Sequence, residues 1–118
     1  MKRIAEQLIL RLKELHDKNY VHRDLKPENI LLGNQLNPHK IYLVDFGLVS
    51  TYRKEVKKLR RMYDGIIGTA KYCPLASHYG NEQFPKDDLE SLGYVLIYLI
   101  KGALPWKFQQ EMTEEERF

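Results

Sequence analysis

His22-Arg23-Asp24-Leu25-Lys26-Pro27-Glu28-Asn29, with Asp45-Phe46-Gly47 further on, is the stretch whose reading decides the fold. The first run sets a carboxylate, a lysine and an amide within one turn-rich loop. The second adds another carboxylate beside a glycine that lets the backbone turn. Moving a phosphoryl group from a nucleotide to a hydroxyl calls for this set. One carboxylate takes the hydroxyl proton, and Asn and Asp oxygens hold Mg²⁺. A three-residue Asp-Phe-Gly alone would be noise; the eight-residue loop, the order and the spacing together carry the weight.

Outward from that stretch, Ile4, Ala5, Leu8, Ile9, Leu12 and Leu15 share one arc at helical spacing. Lys2, Arg3, Glu6, Lys13, Glu14 and Asp17 lie largely opposite, while Leu10 falls off the arc and Arg11 sits at its edge. This predicts an amphipathic helix of about four to five turns. Glu14 and Lys18 stand in the favourable order for a pair, and Asn19 is placed to stop the helix in a left-handed cap.

Ile30-Leu31-Leu32 and Ile41-Tyr42-Leu43-Val44, separated by Gly33, Asn34, Asn37 and Pro38, predict a small hairpin with a longish loop. One strand leaves the first motif and the other enters the second. The hairpin is therefore expected to clamp Asn29 and Asp45 near each other, as a shared metal site demands.

Residues 48–76 have no sustained period and carry Arg53, Lys54, Lys57, Lys58, Arg60 and Arg61. Each cation alone reads as part of a solvated loop face; together they could attract an acidic or phosphorylated substrate. Ser50, Thr51, Tyr52 and Tyr63 offer hydroxyls there that no sequence feature sets apart. Asp87 and Asp88 then precede Leu89, Leu92, Val95, Leu96, Leu99 and Ile100, with Lys101-Gly102 beyond. Acid at the start and a cation with glycine at the end suit a helix. Being apolar nearly all round, it is expected to be the buried core helix. Trp106 and Phe108 read as core or capping groups.

The 118 residues are 43% hydrophobic and 30% charged, an ordinary globular composition with room for one domain and a modest core. The formal net charge of +3 is too mild to suggest nucleic acid. Cys73 is the sole cysteine, which excludes an internal disulfide and fits an intracellular, reducing compartment. The run Leu8-Ile9-Leu10 is cut by Arg11, so no signal peptide is read, and Leu92–Ile100 falls far short of a membrane span. The four histidines and the cysteine show no metal-ligand spacing, so zinc is not expected.

These residues resemble the C-terminal lobe of the eukaryotic protein kinases, and within them the casein kinase I family. The resemblance is carried by the two motifs above, by Gly68-Thr69-Ala70-Lys71-Tyr72, by Asp87-Asp88-Leu89-Glu90-Ser91-Leu92-Gly93-Tyr94-Val95-Leu96 and by Leu104-Pro105-Trp106. It covers essentially the whole chain. It implies an α+β, predominantly α fold: a long helix, catalytic loop, small β-hairpin, activation segment and buried core helix. Residues 1–118 would be one partial kinase domain.

By the same resemblance Asp24 is the catalytic base and Lys26 the cation that steadies the transferring phosphoryl group. Asn29 and Asp45 hold Mg²⁺ with ATP, and Leu31 lies beneath the adenine ring. Lys26 and Thr69 indicate serine/threonine specificity, and Lys71 binds a phosphate or acidic side chain on the substrate. Asp88 is the buried acid that fixes the catalytic loop, and Arg23 meets either a phosphorylated residue of the activation segment or a local ion-pair partner. His22 reads as a packed, hydrogen-bonded loop histidine. The implied partners are protein substrates, acidic or phosphate-primed, with no nucleic acid and no membrane, in a cytoplasmic and also nuclear setting.

Two departures stand out. Pro74-Leu75-Ala76 replaces the family's Ser-Ile-Asn, so Ala76 lacks the polar group that usually anchors the activation segment. The residues also hold no glycine-rich loop, no strand lysine and no helix glutamate to pair with it, and the helices that normally finish the lobe are missing. On this reading the isolated chain has little activity and exposes the apolar surface that faces the other lobe. The alternative is a non-catalytic module that binds acidic segments or a partner kinase lobe through its basic loop.

Overall fold

The computed structural model describes residues 2–33, 35–36 and 39–105. The elements run α1 (Lys2–Asp17), β1 (Tyr20–Val21), a 3-10 turn (Pro27–Asn29), β2 (Ile30–Leu32), β3 (Ile41–Leu43), β4 (Ser50–Thr51), α2 (Leu75–His78) and α3 (Pro85–Lys101). Helix dominates, with two small antiparallel sheets.

Helix α1 buries Leu8 and Leu12 completely. Its end is closed by Lys18 and Asn19 N–H groups bonding the Leu15 and His16 carbonyls, with Asn19 in the left-handed region at φ 71°. Two expectations fail here. Ile9 is half-exposed, because the buried face narrows to the stripe holding Leu8 and Leu12. Glu14 pairs with Arg11 at 3.4 Å instead of with Lys18, while Lys13 takes Asp17 at 2.6 Å.

The predicted hairpin is present, in the register Ile30↔Leu43, Leu31↔Tyr42 and Leu32↔Ile41. The Gln7 side chain fastens it to α1, accepting from Ile41 N–H at 2.8 Å and donating to the His39 carbonyl at 2.7 Å. A second sheet, β1 with β4, pairs Tyr20 with Thr51 and Val21 with Ser50. Two-residue strands leave no alternation to read in a sequence.

Helix α3 opens with Pro85 at its first position. The Asp87 carboxylate accepts from Phe84 N–H at 2.8 Å, and the helix closes at Gly102 with φ 76°. It is not buried all round. Asp87, Asp88, Ser91, Leu92 and Val95 form its buried face, while Leu89, Ile97, Leu99 and Ile100 are exposed. Among the elements, α3 packs against α1 and β1. The core thus gathers Leu8, Leu12, Leu25, Ile41 and Leu92, with Ile4, Ile30, Leu43 and Leu96 around them. The hairpin-loop residues Asn34, Asn37 and Pro38, and the expected core groups Trp106 and Phe108, lie outside the described residues. Among the described residues no helix is long and apolar enough to cross a membrane.

Candidate active site

The loop between β1 and the 3-10 turn is held from below by one buried carboxylate. Asp88, 1% exposed, accepts His22 N–H at 2.8 Å on Oδ2 and Arg23 N–H at 3.0 Å on Oδ1. His16 Nε2 donates to the same Oδ2 at 2.8 Å. A carboxylate accepting several N–H groups is well matched to such burial. It also lets Arg23 rest at φ 73°, a conformation a non-glycine residue adopts only when its surroundings fix it.

His22 is fully buried and packed edge-on to Phe46. Its Nδ1 accepts the Asp24 N–H at 3.1 Å, which leaves Nε2–H to donate to the Val44 carbonyl at 3.1 Å. The ring therefore ties the loop to the residue just before Asp45. It is a structural histidine.

Asp24 is fixed through both its side chain and its backbone. Its Oδ1 accepts from Thr69 Oγ1 at 3.0 Å, and its carbonyl accepts from Asn29 Nδ2 at 2.8 Å. Lys26 Nζ stands 3.8 Å from Asp24 Oδ2. Thr69 reaches Asp24 because Gly68 lets the chain pass close to the loop: at φ 100°, a Cβ there would lie 2.5 Å from the Arg23 carbonyl.

Asn29 is buried, and its amide nitrogen is committed to Asp24, so Oδ1 is the atom it has for a cation. Its carbonyl accepts Val44 N–H at 2.9 Å, carrying the hairpin ladder up to Asp45. Asp45 is exposed at φ 58°, with Oδ1 accepting Gly47 N–H at 3.3 Å. No three of His, Cys, Asp and Glu converge on a metal position among the described residues. An amide oxygen and a carboxylate nonetheless suit Mg²⁺, which takes few protein ligands and completes its shell with water and phosphate.

The structure thus brings Asp24, Lys26, Asn29 and Thr69 together, with Asp45 across the ladder. The Lys71 ammonium lies over the Tyr98 ring at 4.5 Å and near Tyr72 at 5.8 Å. Leu31 is half-exposed on β2. Among the described residues Arg23 meets a carbonyl and a phenol, not a carboxylate. Its Nε donates to the Leu48 carbonyl and its Nη1 to Tyr63 Oη, each at 2.7 Å.

The segment after Gly47 is anchored despite Ala76. Ser77 Oγ donates to the Ile67 carbonyl at 2.6 Å and accepts Ile67 N–H at 2.9 Å, while Glu90 accepts Leu75 N–H at 2.8 Å. The polar contact in this segment is made by Ser77, which no local pattern announces. Cys73, although 3.2 Å from His78, is no nucleophile: burial pushes its thiol up to about 11.

Comparison with known proteins bears on this arrangement. The family model described as the protein kinase domain matches residues 1–118. Casein kinase I homolog 1 of Schizosaccharomyces pombe is 40% identical over 119 residues, covering 97% of this chain. The chain spans 27% of that relative's length.

Proposed function

Because the chain belongs to the protein kinase family, with a casein kinase I-like sequence, we propose that its residues form the catalytic half of a serine/threonine kinase site. The reaction would transfer the γ-phosphoryl of ATP to a protein Ser or Thr hydroxyl. The observation that carries this reading is the fixing of Asp24 by Thr69 on one side and Asn29 on the other, with Lys26 alongside. A carboxylate held this way can orient a hydroxyl and take its proton as the oxygen attacks. Lys26 is placed to offset charge on the transferring group.

Bound Mg²⁺ would neutralise charge on the nucleotide phosphates. Asn29 Oδ1 and the Asp45 carboxylate are the groups to hold it. Leu31 offers an apolar surface beneath the base. The basic run from Arg53 to Arg61, together with Lys71, favours acidic or phosphate-primed protein substrates, in the cytoplasm and the nucleus. The chain spans 27% of its relative's length, and on this reading its residues are one part of a larger nucleotide site.

The test is a graft. These residues replace the matching stretch of the fission yeast casein kinase I homolog 1, and transfer to an acidic protein substrate is measured. An active graft is expected, with Asp24→Asn lowering turnover by about 10²–10⁴-fold, the range for a lost general base. A folded but inert graft, beside an active parent, would sink the catalytic reading. It would favour instead a binding module built on the basic loop.

A further inference from the structure

Lys71 stands in a turn that also serves Asp24. The N–H groups of Tyr72 and Cys73 both bond the Thr69 carbonyl at 3.0 Å. Thr69 in turn donates from Oγ1 to Asp24 Oδ1 at 3.0 Å. Two residues, at most about 7 Å of backbone, therefore separate Lys71 from the group that fixes Asp24. The turn holds the near end of the lysine. Its four-carbon stem is flexible, so the far end needs a holder of its own.

Tyr98 is that holder. The Lys71 ammonium lies 4.5 Å from the centre of the Tyr98 ring and 5.8 Å from that of Tyr72. Lys71 and Tyr98 are both partly buried, which strengthens such a contact relative to open surface. The ring is itself fixed. Tyr72, 5% exposed, meets it edge-on, with centroids 5.6 Å apart and planes at 83°. The Tyr98 carbonyl accepts Gly102 N–H at 2.7 Å in the last turn of α3. Tyr98 lies about 15 Å along the helix from Asp88. One helix thus fixes the catalytic loop near its start and this cation near its end.

The kind of partner matters. A ring face attracts a cation through its quadrupole and carries no net charge. It holds an ammonium in place without neutralising it. Rotamer freedom given up in advance is not lost again when an anion arrives.

We propose that Tyr98 is a positioning residue for substrate choice. Its ring sets where the Lys71 ammonium stands, and so the spacing at which a substrate must carry its phosphorylated or acidic residue from the acceptor hydroxyl. The inference rests on the kinase reading above, with Lys71 as the group that meets the substrate anion. A lysine released from the ring sweeps a wider arc and accepts several spacings, each more weakly.

The test uses the casein kinase graft and a peptide series in which a phosphoserine is stepped one residue at a time from the acceptor serine. The readout is kcat/KM for each phosphorylated peptide divided by that of its unphosphorylated twin, a ratio in which any general loss of folded enzyme cancels. The parent graft should show a peak at one spacing. Tyr98→Leu should lower that peak about three- to tenfold, the range for a lost cation–π contact, and flatten the series, while Tyr98→Phe keeps the ring and the peak. A peak that Lys71→Ala removes and Tyr98→Leu leaves intact overturns the role of Tyr98 alone. A peak that survives Lys71→Ala, or no peak in the parent graft, takes the Lys71 reading down with it. An inert graft sinks the kinase reading and this proposal together. The contact is also read in the full chain by NMR, where ring current should move the Lys71 ε-methylene protons upfield in the parent and in Tyr98→Phe. Resonances that Tyr98→Leu leaves unmoved overturn the proposal however the graft behaves.

Discussion

Gly68 shows how one missing side chain sets the chemistry of another residue. Its backbone stands at φ 100° against the Arg23 carbonyl, and the next residue, Thr69, donates to Asp24 from that position. Gly68→Ala would force a Cβ to 2.5 Å from a backbone oxygen in a conformation that alanine disfavours. The expected cost is about 1–3 kcal/mol in urea denaturation, the range for a strained residue. In the kinase graft the same change should lower kcat more than it raises KM, since it unseats the Asp24 carboxylate that takes the hydroxyl proton. A Gly68→Ala chain of unchanged stability and activity would show that the close approach is not needed.

At the scale of elements, the catalytic loop is an extension of α3. Asp88 belongs to the helix and its acceptors serve the loop, so Asp88→Ala should leave one buried and one half-buried backbone donor without partners. A loss on the order of 3 kcal/mol is expected, with faster hydrogen exchange at the His22 and Arg23 amides. Unchanged exchange there would show that the loop holds itself. Glu82 plays the matching part for the basic segment. The Arg53 hydrogen bond, helped by the Arg60 N–H and both charges, holds its carboxyl below the usual range. A carboxyl lowered by folding adds stability above its ordinary pKa of about 4.3 and loses it as pH falls through the lowered value. Glu82→Gln should therefore melt lower than the parent at pH 7, with the gap closing in acid. A gap constant from pH 7 to pH 3 would remove Glu82 as the cause. These ties divide what the sequence could tell from what it could not. α1, its Asn19 stop and the hairpin were legible because each rests on local period or turn chemistry. The Asp24–Lys26–Asn29 loop was legible as a motif. Arg53–Glu82, Gln7–Ile41 and Ser77–Ile67 each join residues far apart in the chain, and β1–β4 is too short for a pattern. The expectation of a wholly buried α3 failed because hydrophobicity all round a helix says nothing of how many neighbours meet it.

For the whole molecule, those bare faces have a consequence. The accessible surface is 8091 Å², against roughly 6,700 Å² expected for a compact monomer of 14.0 kDa. The radius of gyration, 15.1 Å, likewise exceeds the roughly 13.5 Å of a compact domain this long. Apolar groups are part of that surface: Leu31, Leu32, Tyr42 and Phe46 are exposed at 49%, 70%, 38% and 53% on the hairpin and just after it. Water is a poor solvent for such a face, and a net charge of +3 gives little repulsion to keep copies apart. The chain alone is therefore expected to self-associate with rising concentration and to bind an apolar dye while still folded. Leu32 projects from the strand into solvent without joining the core cluster. Leu32→Lys should then reduce association several-fold, read by sedimentation, and leave the melting temperature of dilute protein nearly unchanged. Equal association of the variant would move the adhesive surface to the exposed side of α3, where Ile97 and Ile100 would be the next residues to change.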